Sequence, residues 1–250
     1  MEQPNKNPIL LIIPDVHGRT FWKRAIMQYP ELPTVFLGDY LDPYTSIEGI
    51  LPSDALFEFQ DILQYKNENP DRVTLLLGNH DIHYFDYKIN SSRKDWQNHE
   101  KIAQLFSRNL SHFQLTKLIN AGGKQFLLSH AGIIPGWIER HFEVIDLSDT
   151  KRLADLLNEQ LADLKKFKVF VTSALMDVSA SRWGTAEYPS IVWADVEDHQ
   201  LEKHRLPNVY QVFGHTRQDY RPIIANDYAN LDCRKAFLLM EDGTIEQVTA

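Results

Sequence analysis

Hydrophobic and polar positions alternate along this chain in blocks, and five apolar blocks each end on a small polar cluster. Residues 9–13 (Ile-Leu-Leu-Ile-Ile) lead into Asp15-Val16-His17-Gly18, and residues 34–37 into Gly38-Asp39-Tyr40-Leu41-Asp42. Residues 73–77 lead into Gly78-Asn79-His80-Asp81, 125–128 into Ser129-His130-Ala131-Gly132, and 209–213 into Gly214-His215-Thr216. Short apolar runs bounded by turn residues predict sheet strands buried on both faces. Polar groups on short loops at the ends of such strands are the usual construction of a catalytic site in an α/β protein.

Helical patterns lie between the strands. After Pro52, Ser53 or Asp54 can cap a helix whose Ala55, Phe59, Ile62 and Leu63 share one face, with residues 67–70 (Asn-Glu-Asn-Pro) as its stop. A second helix is predicted around Ile102, Leu105 and Phe106, and a third around Leu115, Leu118 and Ile119. A further helix starts after Ser148 or Asp149, with Leu153, Leu156, Leu157, Leu161 and Leu164 facing inward. Residues 86–120 interrupt the alternation and read as a helical insertion. Residues 236–248 read as a hairpin turning on Asp242-Gly243. The prediction is an α/β fold of mixed sheets sandwiched by helices. With no repeat or Gly/Ser/Pro linker to divide it, residues 1–250 read as a single domain.

Composition narrows the function. At 43% hydrophobic and 24% charged the chain is an ordinary globular protein, and a net charge of −8 argues against a broad nucleic-acid or membrane surface. An anionic substrate stays open, because bound cations reverse the local potential. The lone Cys233, placed in a strand region, excludes an intramolecular disulfide and fits a reducing compartment. No apolar run is long enough to span a bilayer. The opening residues 1–7 lack the apolar core of a signal peptide, so a cytoplasmic location is expected.

The polar clusters carry the chemistry. Asp15, His17, Asp39, Asn79, His130 and His215 offer carboxylate, imidazole and amide-carbonyl donors without thiolate, a set suited to Mn, Fe, Zn or similar ions. Six ligands are too many for one catalytic ion and about right for two, if Asp39 bridges. Two ions roughly 3.5–4 Å apart activate water and clamp an in-line displacement at phosphorus.

Asp15-x-His17-Gly, Gly-Asp39-x-x-Asp42, Gly-Asn79-His80-Asp81, His130-Ala-Gly and Gly-His215-Thr together resemble the five motifs of the calcineurin-like metallophosphoesterase superfamily. They are most similar to its branch of bacterial Ser/Thr protein phosphatases and diadenosine tetraphosphatases, to which residues 191–195 (Ile-Val-Trp-Ala-Asp) also point. The resemblance implies a four-layer α/β/β/α sandwich with mixed central sheets. It implies a first ion on Asp15, His17 and Asp39, and a second on Asp39, Asn79, His130 and His215. His80 would be the general acid, oriented by Asp42, and a metal-held hydroxide the nucleophile. Manganese is the first expectation for the ions, with iron, zinc and cobalt as the others.

The expected reaction is hydrolysis of phosphomonoesters, on phosphoproteins or small metabolites. The alternatives are a dinucleoside polyphosphate pyrophosphohydrolase and a metal-binding interaction scaffold of the same fold.

One departure stands out. The protein-phosphatase branch follows its second motif with Arg-Gly, and that arginine holds the phosphoryl oxygens; here Pro43 and Tyr44 stand there. Arg182 is the first candidate to replace it, ahead of Arg19, Arg205 and Arg217. The other histidines, at 83, 99, 112, 141, 199 and 204, read as surface residues. Trp183 and Trp193 read as core or site-mouth residues. Substrate choice is expected in loops 40–52, 83–100 and 175–190.

Overall fold

A computed structural model describes residues 7–143, 146–201 and 204–249. Residues 1–6, most of the segment behind the location reading, lie outside the described residues. Two mixed sheets form the centre. The first runs β11 (Ile245–Gln247), β10 (Phe237–Met240), β1 (Pro8–Ile13), β2 (Thr34–Phe36), β3 (Val73–Leu76), β4 (Phe113–Gln114). The second runs β5 (Thr116–Ala121), β6 (Lys124–Ser129), β7 (Tyr210–Phe213), β9 (Tyr228–Asn230), β8 (Ile223–Ile224). Strands β1 to β4 are mutually parallel, as are β6, β7 and β9, so the loops after β1, β2, β3, β6 and β7 open toward one rim.

Alternation within the apolar runs explains the layers. Leu10 and Ile12 of β1, Val35 of β2 and Leu76 of β3 meet Phe126, Leu128 and Val212 of the second sheet in a core between the sheets. The intervening Leu11, Ile13, Phe36 and Leu75 face the other way, among Trp22, Phe59, Ile62 and Phe106 of the covering helices. Both faces are buried, so the strands show no polar alternation in sequence. Helices α1 (Phe21–Gln28) and α3 (Pro52–Glu68) pack on β1 and β3, and α7 (Thr150–Asn158) packs on β5. The order is helix, sheet, sheet, helix, with the short α2 (Thr45–Glu48) lying before α3.

The α3 helix starts at Pro52, and Asp54 accepts the Leu51 N–H at 3.1 Å, reaching back from the first turn rather than capping from outside. Asp149 caps α7 through the Arg152 N–H at 2.9 Å. That helix ends at Asn158; Leu161 lies in a 3₁₀ turn and Leu164 begins α8 (Leu164–Phe170), so one expected helix is two.

The expected helical insertion also differs. Within residues 86–120 only α5 (His99–Arg108) is α-helical, with α4 (Asn79–Ile82) ending before it; residues 113–114 and 116–121 are strands β4 and β5. Leu115, Leu118 and Ile119 imitate helical spacing, but Gly122 and Gly123, both at positive φ, turn β5 into an antiparallel hairpin with β6. The C-terminal hairpin forms as predicted, Phe237 opposite Gln247. Cys233 is buried in the loop after β9, not in a strand. Among the described residues no helix is long and apolar enough to cross a membrane.

Candidate metal centre

The loop after β2 organises the site. His17 Nδ1 lies 2.7 Å from the Leu41 carbonyl and His130 Nδ1 lies 2.9 Å from the Leu37 carbonyl. A ring nitrogen facing a carbonyl must donate, so each imidazole keeps its Nε2 lone pair for a ligand. The two lone pairs face opposite oxygens of one carboxylate: His17 Nε2 is 3.4 Å from Asp39 Oδ2, and His130 Nε2 is 3.6 Å from Asp39 Oδ1.

The remaining donors gather around these. Asp15, His17 and Asp39 bring ligand atoms within 4.8 Å of one another, and so do Asp39, His130 and His215, with Asp39 common to both. Asn79 Oδ1 is 3.0 Å from His130 Nε2, two acceptors in contact, and His215 Nδ1 is 3.1 Å from the same nitrogen. His215 Nε2 is buried without a hydrogen-bond partner. Crowded buried acceptors of this kind fit divalent cations, and Asp39 is the residue common to both clusters.

Electrostatics agree. Burial pushes the Asp15 carboxyl up, with Asp39 adding to the rise and His130 opposing it. Burial also works against Asp39, but the His130, His80 and His17 imidazoles bring it down to about 2. Burial lowers His17 to about 3 and His215 well below the usual imidazole range, so both rings are neutral at neutral pH, the form a metal requires.

Backbone conformation pays for this convergence. Among the described residues eight non-glycine positions have positive φ, and His17 (45°), Asp39 (54°), Asp42 (58°) and His215 (64°) are half of them. Strained positions gathered in one place mark a functional site. Two glycines let the loops close: a Cβ on Gly78 would stand 2.2 Å from Asp39 Oδ1, and one on Gly214 2.1 Å from Asp15 Oδ1. The close approach is to the protein's own carboxylates, rather than to a substrate anion. The His215 N–H reaches both Asp15 oxygens at 3.0 and 3.1 Å, joining the two sheets at the site.

His80 stands beside the metal-type cluster with Nδ1 2.9 Å from Asp42 Oδ2. Three residues in contact with this pair escaped the sequence reading. Tyr84 donates to Asp42 Oδ1 at 2.6 Å, and His83 Nε2 lies 2.8 Å from Asp42 Oδ2. Arg93 donates to the Asp42 carbonyl and to His80 Nε2, the latter at 3.0 Å. His83 and Tyr84 follow His80 by three and four positions, a helical spacing that was available as a signal; Arg93 offered none.

His83, His99, His199 and His204 are buried, against the surface expectation, because each packs on an aromatic ring. Trp183 is fully exposed, whereas the partly buried Trp193 sets its ring 5.8 Å from that of His215. Arg182 Nε is 2.6 Å from Asp195, and one terminal nitrogen donates to the His215 carbonyl and Thr216 Oγ1. Arg19 is held by both oxygens of Glu48 and Arg205 by Asp227.

The fold has counterparts. The family model for calcineurin-like phosphoesterases matches residues 10–219, and the chain belongs to that family. A cold-active protein-tyrosine phosphatase of a psychrophilic Shewanella species shares the fold with a TM-score of 0.55 at 16% identity, over 96% of this chain and 80% of that one. A protein serine/threonine phosphatase from Saccharomyces cerevisiae gives 0.54 at 13% identity, over 96% and 79%. No curated protein matches the sequence. The family makes the chain a phosphoesterase, and its His/Asp clusters are competent to bind metal.

Proposed function

We propose that this chain is a two-metal phosphatase acting on phosphomonoesters, on phosphoproteins or small metabolites. Asp15, His17 and Asp39 would hold one ion, and Asp39, Asn79, His130 and His215 the other. The observation that carries the reading is the Asp39 carboxylate, with one imidazole lone pair facing each of its oxygens. Manganese is our first choice; iron, zinc and cobalt suit the same donors. When bound, such ions supply Lewis-acid activation of water and of the phosphoryl group.

The protein's own groups do the rest. Asp42 accepts from His80 Nδ1 and fixes the ring so that Nε2 faces the site, where a protonated ring would deliver a proton to the leaving oxygen. Tyr84 occupies the other Asp42 oxygen and stops the carboxylate from rotating. Arg182 we place as a strut: neutralised by Asp195, it holds the His215 carbonyl and so the loop that presents that ligand.

The test is a substrate panel with Mn²⁺, Fe²⁺, Co²⁺ or Zn²⁺: phosphopeptides, p-nitrophenyl phosphate, its bis-ester and dinucleoside polyphosphates. Turnover of the monoesters supports the reading, preferred cleavage of the polyphosphates moves it to a pyrophosphohydrolase, and hydrolysis of none sinks it. His80→Ala should cut turnover of an alkyl phosphate by roughly 10²–10⁴-fold and leave metal content unchanged.

A further inference from the structure

Without the motif arginine, a phosphatase site here lacks the guanidinium that would grip the non-bridging oxygens beside the ions. The cluster holds three buried carboxylates, Asp15, Asp39 and Asp42, and Pro43 offers no donor where the related branch has a guanidinium. Most of the arginines considered from sequence are already occupied: Arg182 by Asp195, Arg19 by Glu48, Arg205 by Asp227.

Arg93 is different. Among the described residues no carboxylate lies in ion-pair range of it. Its guanidinium carbon lies 3.6 Å from the centroid of the Tyr44 ring, a stacking distance. One terminal nitrogen donates to the carbonyl of Asp42, the residue just before Pro43. The fork therefore hangs over the point where the missing arginine would have left the chain. The other terminal nitrogen is 3.0 Å from His80 Nε2, the atom turned toward a leaving group.

The loop that delivers Arg93 is built to hold still. Next in sequence, the buried Lys94 donates to the carbonyls of His83 at 3.0 Å and Ile89 at 2.8 Å, and its ammonium sits 4.4 Å from the centre of the Trp96 ring. The Asp95 N–H donates to the Tyr84 hydroxyl at 2.9 Å, which ties the loop to the same network that orients Asp42. Arg93 itself is left-handed, with φ 66°, the conformation shared by His17, Asp39, Asp42 and His215. A backbone cost accepted at an arginine is explained when the side chain must point to one place.

We infer that Arg93 is the phosphoryl-binding arginine of this chain, held between Tyr44 and His80 until a phosphoryl dianion draws its fork onto the non-bridging oxygens. The inference rests on the phosphatase reading above. It has a consequence for order of events. A guanidinium has donors only, so its contact with His80 covers the nitrogen that must face the leaving oxygen. Capture of the phosphate by Arg93 uncovers that nitrogen, which can then take a proton from solvent and pass it to the leaving oxygen.

The experiment uses the full-length, metal-loaded protein and measures inorganic phosphate affinity by calorimetry alongside KM and kcat for p-nitrophenyl phosphate. Arg93→Ala should weaken phosphate binding and raise KM by roughly 10- to 100-fold, the range for losing a charge-assisted pair of hydrogen bonds. Added guanidinium ion should restore part of the loss, and Arg93→Lys, which keeps charge without the fork, should fall between. Phosphate affinity within twofold of the wild type in Arg93→Ala, with no response to guanidinium, overturns the inference. A loss confined to Arg217→Ala, whose guanidinium also flanks Tyr44 at 5.1 Å, does the same. Should Arg93→Ala fail to fold, Arg93→Lys against the wild type decides by the same phosphate affinity. A wild type that binds phosphate through Arg93 but hydrolyses no ester refutes the phosphatase reading and leaves Arg93 as an anion-binding residue.

Discussion

The hydroxyl of Tyr84 donates to Asp42 at 2.6 Å while accepting the Asp95 N–H at 2.9 Å. Buried burdens of this kind are shared: the tyrosine holds both the carboxylate that orients His80 and the loop that carries Arg93. Tyr84→Phe leaves one buried acceptor and one buried donor unmet, so stability should fall by about 1–3 kcal/mol. Turnover of an alkyl phosphate should fall more than that of p-nitrophenyl phosphate, whose leaving group needs less protonation. Equal losses on both would show that Tyr84 does not act through His80.

The shared position of Asp39 predicts coupled loss of metal. Asp39→Asn removes the charge that both ligand clusters have in common. Metal analysis of the purified variant should show depletion of both ions, where His17→Ala should mainly deplete one. Chelation of the wild type should lower its melting temperature, since ligands of the native state alone stabilise it. An Asp39→Asn protein that keeps two ions would remove the bridging role.

Asp81 makes a structural prediction. Its Oδ2 accepts from the Gly78 and Asp39 N–H groups, both at 2.8 Å, and its Oδ1 from Tyr40 N–H at 3.1 Å. An amide at this site would set its own donors against one side of that array. Asp81→Asn should cost about 1–3 kcal/mol in the metal-free protein, measured by denaturant unfolding. An unchanged unfolding midpoint would contradict this account.

Acid should loosen the second sheet's end through His199. Burial lowers this imidazole to about 4, although its ring nitrogen lies 2.9 Å from the Ala131 carbonyl. The unfolded chain takes up a proton near pH 6.5 and the folded one resists it down to about 4. His199 therefore contributes its full stability above about pH 6.5, and that contribution disappears as pH falls toward 4, about 3 kcal/mol at the limit. His199→Gln keeps a donor for Ala131 without the titration. Its melting temperature should drop less than the wild type's between pH 7 and 4.5.

Much of the fold was legible because both faces of its central strands are buried. The runs leading to Asp15, Asp39, Asn79, His130 and His215 showed as short, mostly apolar segments, and the structure brings all five loops to one rim. What stayed hidden has physical causes. Residues 116–121 form a half-buried strand whose apolar positions fall at helical intervals, and the Gly122-Gly123 turn was the stronger signal. Arg93 sits in an irregular segment whose course is set by Lys94 and Asp95 reaching back to residues 83–89, a tertiary matter that no local pattern encodes. The burial of His199 likewise depends on a ring, Phe213, that is remote in sequence.

The two imidazoles that flank Asp39 are aimed by main-chain carbonyls, of Leu37 and Leu41, and not by side chains. Point mutation at those leucines changes packing but leaves each carbonyl in place. The orientation of the ligands is thus insulated from the most common kind of genetic change. It is exposed to another kind: inserting or deleting one residue between 37 and 42 would misalign both imidazoles, Asp39 and the partner of His80 together. In directed evolution of new substrate range, libraries that vary side chains here should retain metal, and libraries that vary loop length should not.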